Sequence, residues 1–470
     1  GVTQLGSDSA PTLSDLPHHI TFDRCYVHGT ATGNNRRGIT MNSASTAVID
    51  SYFEEFHETL ADSQAVVSWN GPGPFKLVNN YFSAAGENVM FGGADPSIFG
   101  LVPSDIEIRG NYFSKPLTWK ANDPSYAGLH WIVKNLLEFK NAQRAVVQGN
   151  LFEHNWEAEQ NGFAIVLTPR NQDGTAPWSV VQDIAFHQNI IRNVGAGYNM
   201  LGTDNERPSE RATRVLIRDN LLTNITNDGW GPGWAFGVSL SAYAGTVVGV
   251  DYVTIDHNTI LPESAIAFAD ADTTSAQQDH FVFTNNITHG SIIGPGIPGF
   301  ANALNAFFSA PVFTTNALIG VAPNDLIGYP GNFLPPTTAA VGFVDAAGGD
   351  YALAPGSPFK NAGTDGRDLG ADISSLGAAV SCALTATCSV TAPLIGGVQA
   401  PALTFNTATI TWTTNQVADS QVEYGLTTTY GNSSPLDAAL VFAHAQTLGG
   451  LTTARRAERG NDVARGIVHR

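Results

Sequence analysis

A chain of 470 residues, 43% of them hydrophobic and only 14% charged, has the apolar content for a large core and does not read as disordered. Its net charge of −18 excludes nucleic acid, which demands a surplus of Lys and Arg, and weighs against an acidic substrate unless Ca²⁺ or a local cationic cluster intervenes. No apolar run reaches the roughly 18 residues of a membrane span, and the polar places are filled by Asn, Thr, Ser, Gln and 48 Gly, which disfavours helices and suits short strands joined by tight turns.

The first residues, GVTQLGSDSAPTLSDLP, are polar and carry no leader-like segment. An ordered pattern begins almost at once, so the natural N-terminus is expected to lie upstream. That pattern is eight residues long: alternating apolar residues, then Asn, then an apolar pair. It recurs as ITFDRCYV (20–27), TAVIDSYF (46–53), FKLVNNYF (75–82), IEIRGNYF (106–113), AVVQGNLF (145–152), IAFHQNII (184–191), VLIRDNLL (215–222), VTIDHNTI (253–260) and FVFTNNIT (281–288). The sixth position is Asn in seven of the nine copies, with Cys25 and Ser51 as the exceptions. Successive sixth positions lie 26, 29, 31, 39, 39, 31, 38 and 28 residues apart.

A unit this short cannot bury a hydrophobic face alone and must stack on its neighbours. Alternation of period two makes each segment a strand, and nothing helical lies between the copies. The coils therefore stack in parallel, each advancing by the strand spacing of about 4.8 Å. Equivalent Asn side chains would then pair up the stack. A propeller would need more even intervals of about 40–45 residues and four antiparallel strands per blade.

With these repeats the chain resembles the right-handed parallel β-helix repeat proteins, the superfamily that includes pectate lyases, over roughly residues 15–375. The fold implied is an all-β solenoid over 1–380. GDYALAPGSPFKNAGTDGRDLGADI (349–373) looks like the closing segment common in secreted bacterial members. The VTIDHN motif at 253–258 resembles a pectate-lyase strand motif, but here it is one more copy of the repeat.

From about 390 the pattern changes. TATITW carries Trp412 and SQVEYG carries Tyr424; these hairpins resemble the first strands of a fibronectin type III domain, a frequent companion of bacterial carbohydrate-active enzymes. The resemblance breaks at TARRAERGNDVARGIVHR, with five Arg and no aromatic residue, so the module at 390–470 is expected to be incomplete. Cys382 and Cys388 are close enough in sequence to close a small loop, which fits an oxidising, extracellular compartment. Cys25 reads as a buried strand thiol. No zinc-type spacing is present.

A packed solenoid interior leaves function to an outer face. The second strands of the coils are AVVSWNG (65–71), NVMFGG (88–93), LLEFKN (136–141), FAIVLTPR (163–170) and YNMLGTDN (198–205). With Val89, Phe91, Leu137, Phe139, Ile165 and Leu167 inward, the outward set includes Glu138, Lys140, Thr168, Arg170 and Asp204. The two longest intervals flank this region, and long loops on a rigid scaffold carry function. Trp119, Trp131, Trp156 and Trp178 lie on those loops as platforms for sugar rings, or as caps on the core.

Two reactions suit such residues, and both imply a secreted enzyme acting on a polysaccharide. A hydrolase needs two carboxylates from the pool Glu138, Asp173, Asp204 and Glu206. A lyase needs a base and a cationic clamp, from Arg170, Lys140 and Lys134; Ca²⁺ is the one cofactor this chemistry admits, held by Asp204 and Glu206 through hard oxygen ligands. The acidity of the chain leans towards a neutral glucan or xylan and hydrolysis. Arg170–Asp204 read alone is equally a structural bridge between loops. The rival of another class is a non-catalytic glycan-binding or surface-attachment β-helix. HETLADS (57–63) lacks the partners of a nucleophilic triad, and GENVMFGGADP lacks phosphate-loop spacing.

Overall fold

Each copy of the repeat straddles a corner. Its alternating apolar residues form one strand, its final apolar pair begins the next, and the Asn sits at the bend between them. The computed structural model describes residues 1–242, 248–270, 277–385, 395–404, 406–425 and 431–451, and the chain divides into two units, Gly1–Cys388 and Ser389–Arg470.

In the first unit the described strands assemble into three parallel sheets of ten, twelve and ten strands. Sheet I runs from Thr3–Leu5 to Ile292–Ile293, sheet II from His18–Asp23 to Val312–Thr314, and sheet III from Tyr26–His28 to Ala317–Ile319. Each coil visits I, II and III in turn and then climbs to its neighbour, with the right-handed crossover that parallel connections adopt. This is a right-handed parallel β-helix.

Equivalent residues stack coil on coil. Along sheet II the register joins Val48, Leu77, Ile108, Val147, Phe186, Ile217, Ile255 and Phe283, all buried. In sheet III Phe53, Phe82, Phe113 and Phe152 stack with ring centres 5.2, 5.4 and 4.5 Å apart. The apolar column closes the interior, so no ligand can enter the rod.

The corner between sheets II and III is an asparagine ladder. The backbone N–H of Ser51 donates to Asn80 Oδ1 (2.9 Å), Asn80 to Asn111 (2.9 Å), Asn111 to Asn150 (2.8 Å), and so on through Asn189, Asn220, Asn258 and Asn286 to Asn316. Each Nδ2 also donates to the next Oδ1 and to a carbonyl of the coil before, as Asn150 does at 3.0 and 2.9 Å. Asn316 reveals a tenth copy, PVFTTNAL at 311–318, beyond the nine read from the sequence. Cys25 is not within a strand: it occupies the ladder position of the first coil, half-buried and unoxidised, with its N–H bonded to Ser51 Oγ.

Helix α1 (Phe300–Phe307) lays Phe300, Leu304 and Phe307 into the apolar column. The 349–373 segment packs instead against the outer side of sheet III, where Phe359 and Leu369 meet Ile287 and Ile319. Helix α2 (Ile373–Thr385) continues along that side, with Leu376 and Val380 against Leu221; the composition gave no warning of it. Cys382 at its end is disulfide-bonded, and Cys388 lies outside the described residues.

The second unit contains an antiparallel sheet of Ile395–Leu403, Ala408–Ser420 and Asp437–Leu448. Trp412 is buried with Val422 and Leu448 and stacks on His444, ring centres 4.9 Å apart. A hairpin of Glu423–Tyr424 and Asn432–Ser433 accompanies the sheet. The arginine-rich tail lies outside the described residues.

Candidate functional site

Sheet I departs from simple alternation, and the departure builds the site. Gln64, Glu87 and Asn135 are register partners on its outer side. Two successive residues then turn inward on each strand, Ala65–Val66, Leu136–Leu137 and Ala164–Ile165, all in the core. Val67, Met90, Glu138, Val166 and Asn199 face outward again as the next row. Outward rows therefore lie three residues apart, with Glu87 in one and Glu138 in the other.

Glu138 lines a pocket of about 350 Å³ together with Lys140, Thr168, Arg170, Asn199 and a loop segment containing Glu159. Lys140 Nζ lies 3.6 Å from Glu138 Oε1, and Asn135 Nδ2 donates to Oε2 at 3.2 Å. On the rim, Glu159 Oε1 is 3.2 Å from His130 Nε2, and both groups are well exposed. One pocket thus presents two carboxylates and two cations.

Beside Glu138 lies Glu87, which is fully buried. Gln64 Nε2 donates to its Oε2 at 2.7 Å, Lys134 Nζ stands 3.7 Å from Oε1, and Oε1 has no hydrogen-bond partner. Burial, then the charges of Glu138 and Asp62, push the Glu87 carboxyl up to about 7 against the pull of Lys134 and Lys140. Lys134 is the shared counter-ion: burial opposes its charge, but Glu87 and Asp62 (2.5 Å) outweigh burial and hold its pKa above the usual value.

The other expected site residues fall elsewhere. Asp204 is buried and fully engaged: Arg170 meets Oδ1 at 3.1 Å, the Glu206 N–H meets the same oxygen at 2.9 Å, and the Asn171 N–H meets Oδ2 at 2.8 Å. It clamps the 168–178 loop to the 202–211 loop, so Arg170 enters the pocket already tethered. The Glu206 side chain is exposed, and Asp173 accepts a 3.4 Å bond from the Asp95 N–H on an exposed loop; neither lines the pocket. Protein donors occupy three acceptor positions of the Asp204 carboxylate, two on Oδ1 and one on Oδ2. The described residues contain no group of three or more His, Cys, Asp or Glu arranged for a metal.

Three of the four tryptophans gather. Trp119, Trp131 and Trp156 are 6%, 3% and 5% exposed and form one cluster. His57 is its hub: Trp131 stacks on it at 3.8 Å and Trp119 meets it edge-on at 5.2 Å. They line a second pocket, of about 460 Å³, with Lys120, His130 and Trp230. Trp178 is apart, donating its Nε1–H to the Leu101 carbonyl at 3.0 Å and packing edge-on to Phe99. Sequence reasoning missed Glu87, Glu159, Lys120 and Trp230. Glu159 stands in EHNWEAEQNG beside Trp156 and Lys120 in KPLTWKANDPSYAGLHW beside Trp119, so their place on the tryptophan-bearing loops is the signal that could have found them.

No protein-family model and no curated protein sequence matches the chain. Among solved structures it is similar to a mutant tailspike protein of the E. coli bacteriophage HK620 in complex with a pentasaccharide, with a TM-score of 0.37 and 11% identity, over 92% of this chain and 73% of that one. The class is decided by this chain's own three stacked parallel sheets. The chain is a parallel β-helix protein. In this β-helix the carboxylate pocket lies on the outer side of sheet I and the tryptophan pocket among the loops that lead from sheet III into sheet I; the loop at 156–162 contributes to each of them.

Proposed function

We propose that this β-helix protein binds a polysaccharide across the outer side of sheet I and hydrolyses it in the pocket floored by Glu138. The observation that carries the reading is the presence of Glu138 and Glu159 in one pocket, the first fixed by Lys140 and Asn135, the second exposed on the rim. In this scheme Glu138 acts as the carboxylate that attacks the anomeric carbon or activates a water. Glu159 protonates the departing glycosidic oxygen. Arg170 and Asn199 orient hydroxyls of the sugar. The disulfide at Cys382 supports export to an oxidising compartment.

Lys140 and Arg170 in the same pocket support a second reading, a lyase in which an amine removes the proton beside a uronate carboxylate and the guanidinium meets the developing charge. A screen of neutral and acidic polysaccharides separates the two. Hydrolysis yields reducing ends alone; elimination also yields ultraviolet-absorbing unsaturated ends. Glu138→Gln and Glu159→Gln are each expected to lower hydrolysis by about a hundredfold or more. Full activity in both, or binding without cleavage of any glycan by the wild type, overturns the catalytic reading.

A further inference from the structure

The tryptophan-lined pocket is too elaborate to be only the flank of a core cluster. Trp119, Trp131 and Trp156 are nearly buried, but their indole N–H groups, which make no hydrogen bond to a described residue, stay open to solvent where the three rings line the pocket. Asn227, which also lines the pocket, has its Oδ1 buried without a donor. Trp230 is held in place before any ligand arrives: Lys120 Nζ lies 4.9 Å from its ring centre, and the His154 ring lies parallel to it at 5.8 Å.

The pocket is joined to the carboxylate pocket through a single turn. Residues 156–158 line the first and residues 159–161 line the second. The turn is closed by a bridge between Glu157 and Asn161, and is tied on one side to the Trp230 carbonyl (2.7 Å) and on the other to the Val133 carbonyl (3.2 Å). His130 of the aromatic pocket reaches across it to Glu159 of the acidic one.

We propose that the pocket walled by Trp119, Trp131, Trp156 and Trp230 is a second sugar subsite, seating a neutral pyranose of the same glycan chain whose scissile bond lies over Glu138. This rests on the reading of the site given above and adds the ligand class. Hydroxyl groups both donate and accept, so one sugar ring can satisfy indole N–H donors and an amide oxygen together, while its C–H faces suit aromatic walls. A free anion fits worse: Asp123 and Asp228 already act on Lys120, and Glu157 is itself part of the lining. The volume is in the range of small-ligand pockets, and the pre-ordered wall lowers the entropy cost of binding. The turn at 156–161 then works as a divider that sets how far the bound ring lies from the cleaved bond.

The test uses the full chain and its tryptophan fluorescence, titrated with cellohexaose, xylohexaose, mannohexaose and maltohexaose, and with oligogalacturonate as the acidic control. At least one neutral hexasaccharide is expected to shift the fluorescence. Trp230→Ala is expected to weaken that binding about tenfold or more, and Lys120→Met, which leaves the buried indoles untouched, to weaken it severalfold. Glu138→Gln should retain the binding. No response to any neutral oligosaccharide, or a response only to oligogalacturonate, overturns the subsite. So does cleavage that depends on Glu138 while Trp230→Ala and Lys120→Met bind and cleave as wild type; the catalytic reading then stands alone. Binding lost in Trp230→Ala, with no cleavage by any form of the protein, upholds the subsite and overturns the catalytic reading.

Discussion

Replacing Asn189 by Ala tests what holds the coils in register. Asn189 Oδ1 accepts both the backbone N–H and Nδ2 of Asn150 at 3.0 Å. Its own Nδ2 donates to the Val147 carbonyl at 2.8 Å and to Asn220 Oδ1 at 2.9 Å. Asn150, Asn189 and Asn220 are all fully buried, so water cannot replace what is lost. An orphaned buried N–H costs about 1–3 kcal/mol, and each of the other bonds contributes about 1 kcal/mol net. The expected loss is therefore about 4–6 kcal/mol, a large share of the roughly 5–15 kcal/mol that holds a typical domain. Ser51 provides an internal comparison, because its Oγ accepts the Cys25 N–H at 2.9 Å while donating to the Ile49 carbonyl at 2.7 Å. Asn189→Ser should thus recover part of the loss by keeping an acceptor. Urea unfolding followed by circular dichroism measures the series, with midpoints in the order Ala, Ser, wild type and a common slope. An Ala variant within about 0.5 kcal/mol of wild type, a difference typical of neutral surface changes, would refute the ladder as a source of stability.

Three further outcomes follow from buried charge. Because the folded carboxyl of Glu87 holds its proton up to about 7, against an ordinary 4.5, wild type loses stability as pH rises through that interval; Glu87→Gln should be flat there, and parallel thermal melts across the window would contradict the assignment. Asp256 behaves oppositely: burial alone would raise its pKa, but bonds from His257, Asn285 and Thr284 outweigh burial and hold it at about 2. Its stabilising share is present above 3.8 and is lost as pH falls through about 2, so Asp256→Asn should melt lower than wild type at neutral pH and converge with it in acid. Lys115, fully buried, donates to the carbonyls of Ala84, Ala85, Gly86 and Asn135 and to Asn88 Oδ1 at 2.7–3.1 Å; Lys115→Met should cost about 3 kcal/mol or more, and a urea midpoint unchanged from wild type would show those oxygens satisfied otherwise.

The rod was legible because its signal is local and repeated: eight residues suffice to mark a corner, and the marker recurs nine times before any long-range contact is needed. The tenth copy was passed over because Pro311 replaces the first apolar residue of the pattern. Helix α2 was invisible for a different reason. ISSLGAAVSCALT carries Gly377 and three Ser, poor helix formers, and it is helical because Leu376 and Val380 have an apolar surface to cover. Glu87 was missed by a rule that is right elsewhere: strict alternation from Val89 sends it inward, and only the paired inward residues of sheet I return it to the outer side. The tryptophans show the limit of loop reading, since their burial depends on His57, 74 positions before Trp131 and two coils away.

Where the pockets lie follows from which corner can tolerate insertion. At the corner of sheets II and III each Asn must bond the residue above and the residue below, so added chain there would break the ladder. From Asn80 to Asn286 every strand of sheet II is followed within a few residues by its partner in sheet III. Among the described residues the other two corners carry no unbroken ladder: Asn42, Asn70 and Asn141 bond across coils at the corner of sheets I and II, but not as one continuous series. Sheet III leads into sheet I through 115–134, 156–162 and 226–235, which supply Trp119, Trp131, Trp156, Glu159 and Trp230. Sheet I leads into sheet II through 168–180 and 202–212, which supply Arg170 and its Asp204 clamp. Both tolerant corners border sheet I, so its outer side alone can gain loops along both margins. Sheets II and III each have one margin fixed by the ladder. The stabilising asparagines of the ladder therefore select the face bordered by pocket-forming loops without touching it, by forbidding variation at the corner they occupy.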